Sequence, residues 1–235
     1  MANQGPTSTL VTCYGRLSYP SLIKPRAYKG GKGGGKETQP FYQAALLIPK
    51  VDVLGDTRYD GKPYSPWFAG GLEKAKAVHD ITKLLAFTRE AELALFPSCF
   101  ENGKPKKGAL KSPIRDGDKP GPEEDEAPET QLGHWVIRTK SKRRPALLRA
   151  DKTTGEVTDD EEIGNLFTPG YWVRLMISTY DATNTKPGVG FGLRMVQFVR
   201  QDAAFSGSGG KVDIDSIEDL PQEDLEASED LGDME

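Results

Sequence analysis

YWVRLMISTYDATNTKPGVGFGLRMVQFVR, residues 171–200, is the stretch that decides the fold of this chain. Near its start, Val173, Leu175 and Ile177 alternate with polar or aromatic residues, which is the period of a half-buried strand. The same alternation returns over residues 189–200. The TNTKPG segment between the two runs is too short for a crossover helix, so the sequence predicts two neighbouring antiparallel strands.

Further extended segments precede this pair, and the sequence predicts about five strands in the core fold. These segments share alternating or continuous apolar residues and lie at residues 11–17, 41–49, 135–140 and 146–150. In the first of them, Tyr14 and Arg16 are predicted to face outward together. Residues 151–156, DKTTGE, have the composition of a hairpin turn.

An amphipathic helix is predicted after the second strand. From Leu72 to Leu95, apolar residues return every three or four positions with basic residues between them, which corresponds to about six turns. His79 is expected at the surface of this helix or at its boundary. Strands joined by turns, with one helix after the second strand, favour a mainly β fold, namely a five-stranded Greek-key barrel of the OB-fold type.

Two segments fall outside this pattern. Residues 97–131 contain six prolines and no apolar periodicity, so we expect an insertion loop that is partly disordered. Residues 206–235 begin with the linker SGSGG and continue into an acidic tail with few hydrophobic residues, which we expect to be disordered. We therefore predict a domain over residues 1–205 and a flexible linker with a tail over residues 206–235.

The charge of the chain is divided between a basic body and an acidic tail. The net charge of −4 combines residues 1–212, which hold all 31 lysines and arginines and 24 acids, with residues 213–235, which hold eleven acids and no basic residue. Such asymmetry indicates nucleic-acid contact together with an acidic interaction tail. The tail acids predicted to bind partners are Asp213, Asp215, Glu218, Asp219, Glu223, Asp224, Glu226, Glu229, Asp230, Asp233 and Glu235.

Membrane and secretory classes are disfavoured by the sequence. The longest apolar run, residues 44–48, is far shorter than the roughly 20 residues that span a bilayer. The first residues lack the basic and apolar parts of a secretory signal, so we expect the chain to remain in a cytosol. Cys13 and Cys99 have no partner at zinc-ligand spacing and are expected to be buried, reduced thiols.

Motifs for catalysis and cofactor binding are incomplete. The glycine-rich loop at residues 29–36 has most of a P-loop pattern, but Glu37 stands where a serine or threonine must bind magnesium. Gly188 and Gly190 lead to Leu193, where a dinucleotide fingerprint needs a third glycine. Neither histidine lies in a metal-binding pattern, and no nucleophile elbow exists. We therefore expect no enzymatic activity, no cofactor and no metal.

What remains is a set of basic and aromatic residues, most of them on predicted outward strand faces. Binding of single strands without sequence preference needs cations that follow the phosphates and aromatic rings on which bases stack. The alternative is an ordinary solvated charged face with the aromatic residues in the core. The predicted DNA-binding residues are Tyr14, Arg16, Lys32, Lys36, Trp135, Arg138, Lys140, Lys142, Arg143, Arg144, Trp172, Arg174, Tyr180 and Arg194.

Several motifs resemble those of one family in sequence and in order. They are FYQAALLIPK at residues 41–50, RPALL at 144–148 followed by Asp151, GYWVR at 170–174 and GVGFGL at 188–193. With the basic body and the acidic tail, they resemble the single-stranded DNA-binding proteins of tailed bacteriophages. The resemblance implies binding of transiently exposed strands during replication and recombination, with a tail that recruits polymerase, helicase or other factors. Related tails commonly finish in an aromatic residue, whereas this one finishes in Glu235.

The resulting hypothesis is a non-enzymatic protein that coats single-stranded DNA intermediates of a phage in the host cytoplasm, as a monomer or a homodimer. It would act in replication, recombination and repair. A tethered acidic tail has a high effective concentration near a basic groove and would compete there with DNA. The alternative from another class is a protein-interaction or virion-assembly adaptor that works through the tail. A small nuclease is the third alternative.

Overall fold

A computed structural model of the chain describes residues 8–27, 39–50, 66–121, 125–151 and 155–205. The predicted DNA-binding residues of the glycine-rich loop, Lys32 and Lys36, lie outside the described residues. So do the linker and all the acids of the tail, and the predicted domain boundary after residue 205 stays a prediction.

The described part of the chain is mainly β. Its strands are β1 (Thr9–Val11), β2 (Gly15–Arg26), β3 (Phe41–Pro49), β4 (Phe100–Glu101), β5 (Lys104–Pro105), β6 (Ile114–Asp116), β7 (His134–Ser141), β8 (Ala146–Leu148), β9 (Trp172–Asp181) and β10 (Val189–Arg200). Its helices are α1 (Leu72–Val78), α2 (Thr82–Leu95) and α3 (Asp160–Leu166). None of these helices is long and apolar enough to cross a membrane.

Five long strands pair in a closed circuit. β2 lies antiparallel to β3, β3 antiparallel to β7, β7 parallel to β10, β10 antiparallel to β9, and β9 antiparallel to β2. The antiparallel pairing of β9 with β10 confirms the prediction from residues 171–200. β1 adds to β9, β6 adds to β7 and β8 adds to β10, while β4 and β5 form a separate hairpin.

The core lies on the inward face of these strands. Val173, Leu175 and Ile177 are fully buried, and Leu46 of β3 and Ile137 of β7 are buried with them. Because each large apolar side chain stabilises the fold by about 1.5–3 kcal/mol when it is buried, this face fixes the orientation of every strand in the circuit. The alternate residues of the same strands then form the outer face of the sheet.

The helix predicted from Leu72 to Leu95 has these bounds, but a break at residues 79–81 divides it into α1 and α2. The Asp80 carboxylate accepts hydrogen bonds from the backbone N–H and the hydroxyl of Thr82, at 2.8 and 2.6 Å. The expectation that His79 lies at the surface is wrong, since it is only 1% exposed. Its Nδ1 atom is 2.9 Å from the carbonyl oxygen of Tyr14, so the turn between the helices is docked onto the chain that leads into β2.

The predicted insertion loop at residues 97–131 includes short elements of regular structure in its described part. It contains β4, β5 and β6 and helical turns at Pro97–Cys99 and Glu129–Gln131. Its strands are two or three residues long, too short to produce a visible period in the sequence. The buried amine of Lys50 lies 2.5 Å from carboxylate oxygens of both Asp116 and Asp118, so the insertion is attached to the end of β3.

α3 follows the hairpin turn predicted at residues 151–156, of which residues 152–154 lie outside the described residues. This helix was not predicted from the sequence. The side chain of Asp159 accepts a hydrogen bond from the backbone N–H of Glu162 at 2.8 Å, which caps the start of the helix. Two nitrogens of Arg149 reach the two carboxylate oxygens of Glu162, at 2.7 and 2.6 Å. α3 is thereby fixed beside the chain that leaves β8.

Candidate nucleic-acid interface

Three glycines alternate with core residues at the start of β10. Gly190 and Gly192 lie on its outer face, since residues 189 and 191 are buried, and Gly188 precedes the strand at the same alternate spacing. A Cβ atom at Gly190 would collide with the ring of Tyr180, and one at Gly192 would be 2.8 Å from the hydroxyl of Ser178. The absence of side chains here therefore lets β9 residues lie across the outer surface of β10.

Tyr180 forms one wall of a groove whose other wall is Phe41. Lys140 lies between them, with its Nζ atom 5.6 Å from the centre of the Tyr180 ring and 5.9 Å from the centre of the Phe41 ring. Lys140 is paired in register with Gln43 on one side and Gly192 on the other. We call this opening of about 420 Å³ the aromatic groove, and its lining residues are Gln39, Phe41, Lys140, Ser141, Lys142 and Tyr180.

The aromatic groove combines two kinds of chemistry in one place. Its rings are half-buried, so part of each ring surface remains accessible, and the cation between them is exposed. Both ring centres lie within the distance of about 6 Å at which a cation is attracted to an aromatic face. Such a site can stack a planar group and neutralise an anion next to it.

Exposed basic residues lie on β7, on β10 and in the segment after β7, the strand that carries Lys140 of the aromatic groove. Arg138 shares the outward face of β7 with Lys140, and Arg194 of β10 is exposed and donates from Nε to the hydroxyl of Ser178 at 3.0 Å. Arg144 forms an exposed ion pair with Asp160 at 3.2 Å, which contributes at most about 1 kcal/mol. We define the basic rim as the exposed residues Arg138, Lys142, Arg143, Arg144 and Arg194.

Trp135 lies on the opposite face of β7 from the aromatic groove and the basic rim. It lies at an odd-numbered position of β7, as does the buried Ile137, and it packs against the core. The Nζ atom of Lys50 lies 4.9 Å from the centre of its ring. The prediction that Trp135 lies beside the cations Arg138 and Lys140 is therefore corrected. An odd number of positions separates Trp135 from each of them, so its side chain lies on the opposite face of β7.

The predicted role of Trp172 in DNA binding is also corrected, because this residue is fully buried and has no ring face open to a base. Its indole N–H donates to a carboxylate oxygen of Asp202 at 2.5 Å. Trp67 meets its ring edge to face at 5.2 Å, and the ring of His79 is also 5.2 Å away. The sequence placed Trp172 on the correct face of β9, but the segment that contains Trp67 and His79 covers that end of the face.

Tyr14 and Arg174 belong to the same covered region. Tyr14 stacks on Trp67 with the two ring planes 2° apart and their centres separated by 5.0 Å. The guanidinium of Arg174 lies 5.8 Å from the Tyr14 ring and donates to the side-chain oxygen of Gln197 at 2.7 Å. Both residues are thus engaged within the protein, and we call the four rings of Tyr14, Trp67, His79 and Trp172 the aromatic cluster.

Arg16 holds the end of the described chain. It donates from Nε to the carbonyl oxygen of Gly170 at 2.9 Å and from a terminal nitrogen to that of Ala203 at 2.5 Å. Its guanidinium lies 4.4 Å from the centre of the Phe205 ring. The structure therefore places Arg16 in a structural anchor and separates it from the aromatic groove, which is a correction to its predicted position.

Both histidines are held neutral by burial. Desolvation lowers the pKa of His79 to about 4, against the opposing effect of its hydrogen bond to the Tyr14 backbone. Desolvation lowers the pKa of His134 to about 3, and its Nδ1 is 2.9 Å from the carbonyl oxygen of Leu132. Within the described ranges, no group of three or more histidine, cysteine, aspartate or glutamate residues could hold a metal ion.

The cysteines differ in part from the expected buried thiols. Cys13 and Cys99 are both free, and both are only partly buried. Desolvation nevertheless raises the pKa of the Cys13 thiol to about 12, so this thiol stays protonated near neutral pH.

Sequence reasoning missed Phe41 as a member of the site. It treated Phe41 only as the first residue of an apolar strand, although positions 41 and 43 share one face of β3. A signal was available in the alternating glycines at positions 188, 190 and 192. From the sequence, Gly188 and Gly190 are considered only for a dinucleotide fingerprint, whereas glycines in a strand mark a close approach of neighbouring side chains.

Comparison with known proteins identifies the family. A family described as "Enterobacter phage Enc34, ssDNA-binding protein" matches residues 74–228 of this chain. The chain therefore belongs to this family of phage single-stranded DNA-binding proteins, which confirms the family predicted from the sequence. A comparison with curated proteins gave no match.

Solved structures of phage proteins are similar to the chain. The single-stranded DNA-binding protein from bacteriophage Enc34 is 22% identical, with 88% of each chain covered and a TM-score of 0.50, which shows a shared fold. A structure of that protein in complex with ssDNA is 24% identical, with 84% of this chain and 89% of that chain covered and a TM-score of 0.49. The gp2.5 protein of bacteriophage T7 is 17% identical, with 87% and 98% covered and a TM-score of 0.41.

Proposed function

We propose that the chain binds single-stranded DNA through the aromatic groove and its basic rim. The observation that carries this proposal is the position of Lys140 between the rings of Phe41 and Tyr180 on the outer face of the sheet. Stacking of one base on an aromatic side chain is worth about 1–3 kcal/mol, and cations beside it follow the phosphates. Family membership supports the same substrate class.

The closed circuit of pairings supports an OB-fold-like barrel as the scaffold. In that reading β2, β3, β7, β9 and β10 are its five strands, and the parallel contact between β7 and β10 closes it. OB-folds bind oligonucleotides on the face formed by their second and third strands. Here these strands are β3 and β7, which carry Phe41 and Lys140, so the aromatic groove lies where this reading expects a ligand.

The cellular role proposed is the coating of exposed single strands during phage DNA replication, recombination and repair. The chain would act in the host cytoplasm without catalysis, cofactor or metal, as a monomer or a homodimer. The family assignment supports the first of these processes through its single-stranded DNA substrate. A surface that stacks bases and neutralises phosphates without reading base edges suits a protein that must cover any sequence.

The acidic tail is proposed to recruit replication proteins such as a polymerase or a helicase and to compete with DNA. The support is its composition, with eleven acids and no lysine or arginine over residues 213–235, against a basic remainder of the chain. Because both the tail and DNA are polyanions, a truncation before residue 213 is expected to tighten DNA binding, most strongly at low salt.

Fluorescence anisotropy with labelled oligo-dT at two salt concentrations tests the proposal. We expect salt-dependent binding that is weakened by Tyr180→Ala and by Lys140→Gln. The same titrations with duplex DNA and RNA define the substrate. If the chain truncated before residue 213 showed no salt-dependent binding to any of these, the proposal would be wrong, and the adaptor hypothesis would take its place.

A further inference from the structure

The insertion reaches the outer face of β10 beside the aromatic groove. The backbone N–H of Lys111 donates to the carbonyl oxygen of Pro187 at 2.9 Å, and Lys111 forms a parallel bridge with Gly188. A Cβ atom at Gly188 would lie 3.1 Å from both the Cβ and the carbonyl oxygen of Lys111. Lys111 therefore lies beside Gly188, with its Cβ next to the outward side of that glycine.

Lys111 thus occupies the end of a row that begins in the aromatic groove. Gly190 and Gly192 share one face of β10, and Gly188 continues the same alternation just before the strand. Lys111 contacts Gly188, and the ring of Tyr180 covers Gly190. Lys140 is paired in register with Gly192. The row is about 13 Å long at the usual rise of a strand, with a cation at each end and an aromatic ring between them.

The rest of the insertion faces elsewhere. Leu110 and Ser112 line a separate cavity of about 720 Å³ between the insertion and α2, and Lys107 lines it with them. Lys111, between Leu110 and Ser112 in the chain, does not line this cavity. Lys111 and Lys107 are both exposed lysines of the insertion, but they belong to different surfaces.

We propose that Lys111 is a phosphate-binding residue that extends the aromatic groove, so that the insertion sets the length of single strand that the protein holds. This inference rests on the proposed function of the groove. A strand stacked on Tyr180 and running along the glycine row brings a phosphate to Lys111 at one end while Lys140 neutralises another. Neutralised phosphates release counterions, which makes each such contact visible in the salt dependence of binding.

The test compares Lys111→Gln with the matched control Lys107→Gln in anisotropy titrations of the full chain. With oligo-dT of about 16 nucleotides, the upper limit for one OB-fold, Lys111→Gln is expected to reduce the slope of log K against log salt by about 0.7. Its affinity at low salt should fall about two- to fivefold, as for loss of an exposed ion pair. Lys107→Gln and Lys111→Arg are expected to keep the wild-type slope.

A dT dinucleotide has a single internucleotide phosphate, so it cannot contact Lys140 and Lys111 at once across the row of about 13 Å. Lys111→Gln should bind it like the wild type, whereas Lys140→Gln should weaken binding to both lengths. An unchanged slope in Lys111→Gln, or an equal loss in Lys107→Gln, would overturn the inference and leave the proposed function standing. Failure of the wild type and of the chain truncated before residue 213 to bind either oligonucleotide would overturn the proposed function itself.

Discussion

The aromatic groove and the aromatic cluster are built from the same kinds of residues and have opposite accessibility. In the groove, Lys140 lies between two half-buried rings at an open surface. In the cluster, the rings of Tyr14 and Trp172 meet Trp67 and His79, and Trp172 is fully buried. Both regions use outward positions of β9, since residues 172 and 180 share one face of that strand.

The difference between the two regions lies in what covers the strand. The chain from residue 66 through α1 packs over the end of β9 that contains Trp172, whereas glycines of β10 leave the surface next to Tyr180 low and open. Composition alone therefore does not distinguish an aromatic ring that binds a ligand from one that supports the fold. The two regions make separable predictions for stability and for DNA binding.

The largest effect expected is on stability, from Trp172→Ala. The change removes a fully buried indole and its hydrogen bond to Asp202, and it should lower the free energy of unfolding by about 3–5 kcal/mol. Chemical denaturation measures this change. Below the unfolding midpoint, the folded fraction should retain the wild-type affinity for oligo-dT. A loss of affinity with no loss of stability would move the binding surface into the aromatic cluster.

The free energy of unfolding is expected to depend on pH because His79 is also buried in the aromatic cluster. Burial lowers its pKa to about 4 in the folded chain, while the pKa in the unfolded chain stays near 6.5. The unfolded state therefore takes up the proton first, so this contribution to stability is complete above pH 6.5 and is lost as the pH falls towards 4. The loss is on the order of 3 kcal/mol at pH 4. Denaturation of His79→Asn across this range should show a shallower pH dependence than the wild type, and an unchanged dependence would contradict this assignment.

Tyr180→Ala should have its main effect on DNA binding. Loss of one stacking surface is expected to weaken the affinity for oligo-dT by about 1–3 kcal/mol, with a smaller change in stability than Trp172→Ala produces. Tyr14→Ala is the matched control, because Tyr14 is a half-buried tyrosine whose ring already stacks on Trp67. It should lose stability and keep its affinity. Equal affinities of the two variants would erase the distinction between the groove and the cluster.

The smallest effects expected are those that distinguish Lys140, in the aromatic groove, from Arg16, in the structural anchor. Lys140→Gln is expected to reduce the salt slope of single-strand binding by about 0.7, because one phosphate contact is lost. Arg16→Gln should leave that slope unchanged and lower the stability by about 1–3 kcal/mol, because hydrogen bonds to Gly170 and Ala203 disappear. Paired salt titrations and denaturation curves measure both quantities. A reduced salt slope in Arg16→Gln together with an unchanged slope in Lys140→Gln would place the DNA beside Arg16.

Sequence patterns were sufficient where one side of a strand faces the core. The bounds of β3 follow from its apolar run and Pro49, and those of β10 from its apolar alternation. The antiparallel pairing of β9 with β10 follows from the short segment between them. The family also followed from short motifs in strand order. These features depend on local period and on chain connectivity, which are present in any single sequence.

Other features depend on contacts between distant segments. The break at residues 79–81 was missed because the apolar period of the helix continues through it, while the docking of His79 on Tyr14 joins positions 65 residues apart. Trp172 was assigned to the correct face, but alternation does not show that Trp67 covers it. Arg16 resembled a surface cation because its partners at residues 170, 203 and 205 lie at the other end of the chain.

The attachment of residues 202–205 has a mechanical consequence. A pulling force applied at Phe205 would first load the bonds from Arg16 to Ala203 and from Trp172 to Asp202, together with the backbone hydrogen bond from Phe205 to Pro169. These links act side by side and hold the chain at the end of β2 and β9. They would bear the tension before it reached the strands that carry the aromatic groove, so the outer surface of the sheet would keep its shape while the chain beyond residue 205 is under tension.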